Sequence, residues 1–162
     1  MLFRSVQTLL SGPVGGTIAG VTVFNDLKDL SKNGLICMDM GGTSFDVSIV
    51  IDGKAQIELD SNIDGHDLLA PSVAIHTIGA GGGSVTEFKS GKINVGPRSA
   101  SSIPGPICYD HGGTEITITD ANLVLGRISK KLSFGNDIKL NYEETSSKMN
   151  ELGEKLKLSG NQ

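Results

Sequence analysis

The residues best suited to chemistry lie together between two short apolar runs of the chain. They are Asp39-Met40-Gly41-Gly42-Thr43-Ser44-Phe45-Asp46. Gly41 and Gly42 let the chain turn back with no Cβ in the way, so that backbone amides and the hydroxyls of Thr43 and Ser44 can face a phosphate. The segment is not a P-loop, because GxxxxGK[ST] and a following helix are both absent. Two interpretations follow, a tight hairpin with solvated aspartates or a phosphate-binding hairpin, and we favour the second.

The two carboxylates that flank this turn, Asp39 and Asp46, extend the same chemistry. Mg²⁺ is a hard cation that often keeps its waters and contacts a protein through one or two carboxylates. Either carboxylate could instead orient an attacking water. The pair therefore indicates phosphoryl chemistry. Each carboxylate could either contact Mg²⁺ or orient the attacking water.

A second glycine-rich segment follows later in the chain. It is Gly79-Ala80-Gly81-Gly82-Gly83-Ser84. Its amides could cradle an anion, or its glycines could let two backbones cross closely. The sequence leaves these alternatives open, and we predict Gly81, Gly82, Gly83 and Ser84 as cofactor contacts.

Two histidines offer a weaker candidate for a metal site. His66 and His76, with Asp64 and Asp67, could form a cluster, but the spacing lacks a tight ligand pattern. We favour histidines that hydrogen-bond to neighbouring aspartates.

Three further side chains have a structural and a chemical interpretation. Cys108 has no base near it in sequence, which argues against a nucleophile. Arg98 and Arg127 could each neutralise an anion, although an ordinary salt bridge is favoured for both.

The elements that would position the first candidate site are a helix and three strands. We predict a turn over 11–16, a helix capped by Thr17 and continuing to Leu27, and strands over 35–40, 46–53 and 54–59. Asp52-Gly53 is a strong two-residue hairpin signal.

The remainder of the chain predicts a hairpin and two helices. We predict a strand over 73–78, a hairpin across Ser90-Gly91 and a strand over 116–119. Asp120 is predicted to cap a short helix. A final helix over 143–157 carries Met149, Leu152 and Leu156 as an apolar stripe that needs a partner.

Composition excludes several classes of protein. The 162 residues carry a net charge of -4, which implies no general attraction to nucleic acid or to an anionic membrane. No apolar run approaches the roughly 18 residues of a membrane helix. Two cysteines form no disulfide framework, so a cytoplasmic setting is expected. Glycine is the outlier, because 22 residues are about twice the usual share of about 7%.

The order of the motifs resembles a known family. The Asp39–Asp46 hairpin resembles the second phosphate motif of the actin-like ATPases. The whole series resembles the hydantoinase A/oxoprolinase family, which includes N-methylhydantoinase and acetone carboxylase subunits. The motifs that carry this resemblance are Ser11-Gly12-Pro13-Val14-Gly15-Gly16, Asp39 to Ser48, Thr77 to Ser84, Val95-Gly96-Pro97-Arg98-Ser99, Pro104 to Tyr109, Gly112-Gly113 and Thr119 to Arg127.

The resemblance implies an α/β fold of the RNase H-like, actin-like ATPase type, with a mixed sheet and flanking helices. It implies an enzyme that uses ATP and Mg²⁺ to open a cyclic amide such as a hydantoin, or to activate a carbonyl substrate. In that scheme the Gly41–Ser44 turn holds phosphates, Asp39 binds Mg²⁺ through water, and Asp46 supports the loop or the nucleophile. A hydantoinase B-type subunit is the expected partner.

The sequence departs from the family pattern in residues and in length. Ala74 replaces an expected acidic residue, which puts the polar network near His76 in doubt, and Phe45 replaces a threonine. Family members are several times longer, so the chain looks like a central fragment. We expect a core over 1–127 and a truncated helical extension of the same domain over 128–162, with weak ATP binding and negligible turnover by the isolated chain.

Two other functions stay open on the sequence alone. One is a non-catalytic module that binds a nucleotide or docks onto a partner chain through the apolar stripe of the final helix. The other is a sugar-kinase-like ATPase domain, which rests on the shared phosphate motif alone.

Overall fold

The computed structural model of the protein describes residues 10–27, 34–59, 61–63, 65–68, 71–131, 133–134 and 138–158. The chain forms two compact units. The first comprises Met1–Asp39 and Phe45–Thr77, and the second comprises Met40–Ser44 and Ile78–Gln162. None of the described helices has the length and apolar character needed to cross a membrane.

The first unit begins with helix α1, Ser11–Asp26. The predicted turn over 11–16 is therefore wrong. Pro13 lies in the first helical turn, where a backbone N–H has no intrahelical partner to lose. Thr17 is buried inside the helix and does not cap it. Its hydroxyl donates to the Pro13 carbonyl at 3.2 Å and lies 2.7 Å from the hydroxyl of Ser48.

A four-stranded sheet packs against α1 in this unit. The strands are β1 (Leu35–Met40), β2 (Phe45–Ile51), β3 (Lys54–Ala55) and β8 (Ile75–Ile78). Strand β2 pairs with each of the other three. The predicted Asp52-Gly53 hairpin is confirmed, because Ile51 pairs with Lys54 and both turn residues have positive φ.

Short antiparallel pairs complete the first unit. They are β4 (Ile57–Glu58) with β7 (Ser72–Val73), and β5 (Ser61–Ile63) with β6 (His66–Leu68). The predicted strand over 54–59 is thus divided between β3 and β4.

Close packing explains one glycine of α1. A Cβ added at Gly20 would lie within 2.2 Å of the Cys37 sulfur on β1. Gly15 in the same helix has open space around it. Only the first of these glycines is required for the helix to approach the sheet.

The second unit contains a long hairpin followed by helices. Its elements are β9 (Ser84–Lys89), β10 (Lys92–Ser99), a 3₁₀ helix (Ile107–Tyr109), α2 (Ile118–Val124), β11 (Ser133–Phe134), β12 (Ile138–Lys139) and α3 (Tyr142–Leu156). The hairpin across Ser90-Gly91 and the final helix are confirmed.

The predicted strand over 116–119 is wrong beyond a single residue. Thr117 makes one bridge to Val85 and then caps α2, which begins at Ile118. Asp120 contributes to this cap from inside the helix. Its carboxylate accepts from the Thr117 amide, while the Thr117 hydroxyl accepts from the Asp120 amide.

The apolar stripe of α3 lines an open groove within the second unit. Met149, Leu152 and Leu156 line a groove of about 330 Å³ together with residues of α2 and of the β9–β10 hairpin. All three side chains are half-buried, so the described residues cover the stripe only in part.

Candidate functional site

The Gly41–Ser44 turn is exposed and open on one side. The Gly41 amide donates to the Ser44 carbonyl at 2.9 Å, which closes the turn. The amides of Gly42 and Thr43 have no hydrogen-bond acceptor among the residues that the structure describes. Two adjacent backbone donors are therefore available to an anion, as in a nest of successive N–H groups.

The triple glycine runs directly against this turn in the second unit. The amide of Gly81 donates to the Thr43 carbonyl at 3.2 Å. The amide of Gly82 donates to the Gly41 carbonyl at 2.9 Å, and that of Gly83 donates to the Gly42 carbonyl at 2.6 Å. All three amides thus have acceptors in the turn.

Space at the crossing leaves no room for side chains on the triple glycine. A Cβ at Gly81 would lie 2.5 Å from the Thr43 carbonyl carbon, and one at Gly83 would lie 3.0 Å from the Gly42 oxygen. Of the two alternatives for these glycines, the structure shows the close crossing of backbones. Gly42 differs, because a Cβ there would meet nothing within 4 Å.

A cleft of about 650 Å³ opens beside the turn, within the range typical of ligand sites. It brings together Gly41, Gly42, Thr43, Gly82 and Gly83 from the predicted set. Other lining residues are Met40, Ser101, Ser102, Pro106, Tyr109, Thr119, Asn122 and Ile128.

Three predicted contacts, Ser44, Gly81 and Ser84, lie outside the lining of this cleft. Ser84 is fully buried, and its hydroxyl donates at 3.4 Å to the carbonyls of Thr43 and Gly79. Gly81 faces the Thr43 backbone. Contact of any of these three residues with a cofactor stays a prediction.

The two predicted catalytic carboxylates belong to the first unit. Asp39, at the end of β1, is exposed, whereas Asp46, on β2, is only 9% exposed. The Thr77 hydroxyl donates to Oδ1 of Asp46 at 2.6 Å. Both carboxylates line a cavity of about 30 Å³ between α1 and the sheet, which is large enough for about one water.

Asp39 fits the water-mediated Mg²⁺ contact that was predicted for it. Its carboxylate is exposed and has no hydrogen-bond partner among the described residues. A hydrated magnesium ion needs a hard oxygen ligand of this kind. Oδ1 of Asp46 already accepts a hydrogen bond from Thr77. Asp46 is therefore better suited to support the turn than to bind the ion.

Of the remaining candidate residues, some have hydrogen-bond or ion-pair partners, and one lies outside the described residues. Asp64 lies outside the described residues, and the described part of the chain contains no group of three or more His, Cys, Asp or Glu arranged to hold a metal. Arg127 donates to Oδ1 of Asn122 at 3.2 Å. Arg98 bridges Glu87 and Glu115, which raises the pKa of its guanidinium.

Cys108 has the environment of a packed thiol. It is fully buried, and desolvation, followed by the charge of Asp120, raises the pKa of its thiol above the ordinary range. A thiol of this kind has little thiolate to attack with.

Sequence reasoning missed the polar residues on the far wall of the cleft. The Thr119 hydroxyl donates to the Gly82 carbonyl at 2.9 Å and so joins α2 to the triple glycine. Thr117 with Asp120, three residues later, forms a reciprocal helix cap. The T-x-x-D spacing before an apolar stretch is the signal that could have found this helix start.

Comparison with known proteins identifies the family of this chain. A family model described as hydantoinase/oxoprolinase matches residues 1–162. The chain belongs to the hydantoinase/oxoprolinase family. The resemblance inferred from the ordered motifs is confirmed.

Relatives in this family are much longer proteins. Caprolactamase subunit alpha of Pseudomonas jessenii is 39% identical over 141 residues, which are 86% of this chain and 20% of the relative. The 5-oxoprolinase of Saccharomyces cerevisiae is 41% identical over 155 residues, 93% of this chain and 12% of the relative. The chain spans about a fifth or less of the length of these relatives.

Solved structures of family members share the fold. A nucleotide-free acetone carboxylase, from work on ATP-dependent acetone carboxylation, superposes with a TM-score of 0.81 and 30% identity over 95% of this chain and 22% of that one. The ATP-dependent caprolactamase from Pseudomonas jessenii gives 0.76 and 35% over 89% of this chain and 21% of that one. The predicted mixed α/β, partial actin-like ATPase fold is confirmed.

Proposed function

We propose that this chain supplies one phosphate-binding hairpin to an ATP-dependent enzyme of the cytoplasm that opens a cyclic amide, such as a hydantoin. The observation that carries the proposal is the pair of amides at Gly42 and Thr43, two residues of the cleft lining, which have no acceptor among the described residues. Gly42 has room for a side chain within the protein itself. A glycine that the fold does not require is consistent with close approach of a ligand to the backbone.

Phosphoryl chemistry depends mainly on positioning and on neutralising charge. The amides of Gly42 and Thr43 and the Thr43 hydroxyl would hold phosphate oxygens, and Ser44 would complete the turn. Asp39 would hold Mg²⁺ through water, and the ion would neutralise charge on the phosphates. Asp46, fixed by Thr77, would support the loop or orient the nucleophile.

The relatives support the choice of substrate and partner. A caprolactam and 5-oxoproline, named in two of the relatives, are both cyclic amides. One relative is named as an alpha subunit and another as the gamma subunit of acetophenone carboxylase. We therefore propose a small cyclic amide or carbonyl compound as substrate and a second, hydantoinase B-type subunit as partner.

Calorimetry with Mg-ATP tests the binding proposal on the 162-residue chain. We expect a dissociation constant well above the micromolar range and negligible hydrolysis, because one hairpin contacts only part of the nucleotide. Sub-micromolar binding by this chain would contradict the proposal of a single partial site.

Complementation tests the catalytic proposal. The chain is mixed with a separately expressed polypeptide that carries the remaining length of a family member, and ATP hydrolysis is measured. We expect activity that Asp39→Ala abolishes and that the exposed control Asp110→Asn retains. Binding without hydrolysis would favour the alternative of a non-catalytic module.

The structure adds no specific support to the two alternatives. The α3 stripe on which the docking module rests lines an open groove with α2 and the hairpin, and nothing in the described residues shows what would cover it. The sugar-kinase interpretation still rests on the hairpin alone.

A further inference from the structure

The triple glycine and the phosphate turn are joined by a ladder of three backbone hydrogen bonds. Successive carbonyls of the turn, those of Gly41, Gly42 and Thr43, each accept from one glycine amide. The donors are Gly82, Gly83 and Gly81 in the same order. Every carbonyl of the turn's central peptide units is thereby held toward the glycine segment.

The geometry of the peptide bond converts this ladder into a direction for the amides. In a trans peptide, the carbonyl oxygen of one residue and the N–H of the next point to opposite sides of the plane. The Gly41 carbonyl shares its peptide unit with the Gly42 amide, and the Gly42 carbonyl shares its unit with the Thr43 amide. Because both carbonyls point at the triple glycine, both amides point away from it.

Steric fit shows that only glycine can occupy this ladder. A Cβ at Gly81 would lie 2.5 to 2.6 Å from three backbone atoms of Thr43 and Ser44, which cannot move as the tip of a flexible side chain does. A Cβ at Gly83 would lie 3.0 Å from the Gly42 oxygen and from the Ser99 hydroxyl. Replacing either glycine must therefore shift the turn itself.

We infer that Gly81, Gly82 and Gly83 are positioning residues that fix the peptide planes of the turn, so that the amides of Gly42 and Thr43 present a preformed pair of donors to phosphate. The inference rests on the proposed phosphate-binding function and deepens it. In this role the triple glycine acts by orienting the turn, and its own amides do not contact the ligand. Those amides already donate to the turn carbonyls.

Nuclear magnetic resonance of the ¹⁵N-labelled chain can test the ladder in the absence of ligand. We expect slow hydrogen exchange at the amides of Gly82 and Gly83 and fast exchange at Gly42 and Thr43. In Gly81→Ala, the protection at Gly82 and Gly83 is expected to fall at least ten-fold. Equal exchange at all four amides of the wild-type chain would overturn the ladder without use of any variant.

Titration with magnesium pyrophosphate, and separately with Mg-ATP, tests the role in binding. We expect the wild-type amide resonances of Gly42 and Thr43 to shift more than those of Gly81–Gly83. In Gly81→Ala, we expect an affinity at least ten-fold weaker. Gly15→Ala, whose Cβ meets nothing within 4 Å, is the matched control and should bind as the wild type does.

The possible failures are distinguishable. A wild-type response that survives unchanged in Gly81→Ala, or one centred on Gly81–Gly83, would overturn the positioning role alone. No response at any amide to either probe would overturn the phosphate site and the inference with it. If Gly81→Ala does not fold, Gly83→Ala takes its place, because its Cβ makes less severe contacts.

Discussion

The side chains and backbones of Thr117 and Asp120 hold each other at the start of α2. The Thr117 hydroxyl donates to Oδ2 of Asp120 at 2.8 Å, and the Thr117 amide donates to the same oxygen at 2.9 Å. Asp120 is fully buried and also accepts from the amides of Ile107 at 3.3 Å and Cys108 at 2.8 Å. One carboxylate thus connects the helix to the 3₁₀ segment beside the cleft.

Asp120→Asn is expected to lower the free energy of unfolding by about 2–4 kcal/mol, because buried donors lose their acceptor. If the asparagine oxygen replaces Oδ2, its NH₂ group faces the Cys108 amide, and two donors then oppose each other. Urea denaturation followed by circular dichroism measures the change.

Asp110→Asn is the control for this substitution. Asp110 is exposed and has a left-handed backbone that asparagine tolerates, so we expect a change below about 0.5 kcal/mol. Equal stability of the two variants would show that the Asp120 network contributes little.

Gly20→Ala tests the approach of α1 to β1. The added Cβ would lie 2.2 Å from the Cys37 sulfur, and we expect a loss of about 1–3 kcal/mol from overpacking. Gly15→Ala in the same helix should instead stabilise by up to about 1 kcal/mol, since alanine is the better helix former. Thermal unfolding of both variants measures the difference.

The double variant Gly20→Ala/Cys37→Ala removes the clashing sulfur. We expect it to be more stable than Gly20→Ala alone, although the Cys37 change costs something by itself. A double variant that is no more stable than the single one would place the cause of the Gly20 effect elsewhere.

Much of the hairpin architecture was predictable because its signals are local. Asp52-Gly53 and Ser90-Gly91 both form the predicted turns, since positive φ at two successive positions favours these residue types. The glycines of 11–16 misled the prediction for the opposite reason. Gly16 in this run lies against Asp39, and Gly20 beyond it lies against Cys37, both on a neighbouring strand, and sequence patterns do not report contacts of that range.

The candidate site was predictable only in part for the same reason. The turn that presents Gly42 and Thr43 follows from its own residues. The partners of Gly81–Gly83 could not be predicted, because about 40 residues separate them from the turn and both interpretations of the triple glycine need the same residue type. Thr119 and Tyr109 line the cleft because the fold brings them there, and their local sequence does not indicate this.

A charged cluster on the β9–β10 hairpin predicts a measurable pKa change. Hydrogen bonds from Lys89 and then from Arg98 lower the pKa of Glu87 to about 2, from an ordinary value of 4.5. We expect Lys89→Gln to raise this pKa, while Lys54→Gln in the first unit leaves it unchanged. Titration of the side-chain carboxyl carbon by nuclear magnetic resonance measures both.

The sign of the linked stability follows from the direction of that shift. A carboxyl whose pKa is lower in the folded state stabilises the fold above its ordinary pKa, and this contribution is lost as the pH falls toward 2. The effect should be small and should weaken with added salt, because the side chains of the cluster are partly exposed. An acid-stability difference between wild type and Lys89→Gln that grows with salt would contradict the assignment.

The two cysteines should differ in reactivity if Cys108 is a packed thiol and not a nucleophile. Burial and the neighbouring Asp120 raise the pKa of the Cys108 thiol, so almost no thiolate forms near pH 8. Cys37 is only partly buried. With an aromatic disulfide reagent at pH 8, we expect Cys37 to react at least ten-fold faster than Cys108 in the native chain, and both to react alike in guanidinium. The Cys37→Ser variant isolates the second thiol, and rapid labelling of that variant in the native state would restore Cys108 as a candidate nucleophile.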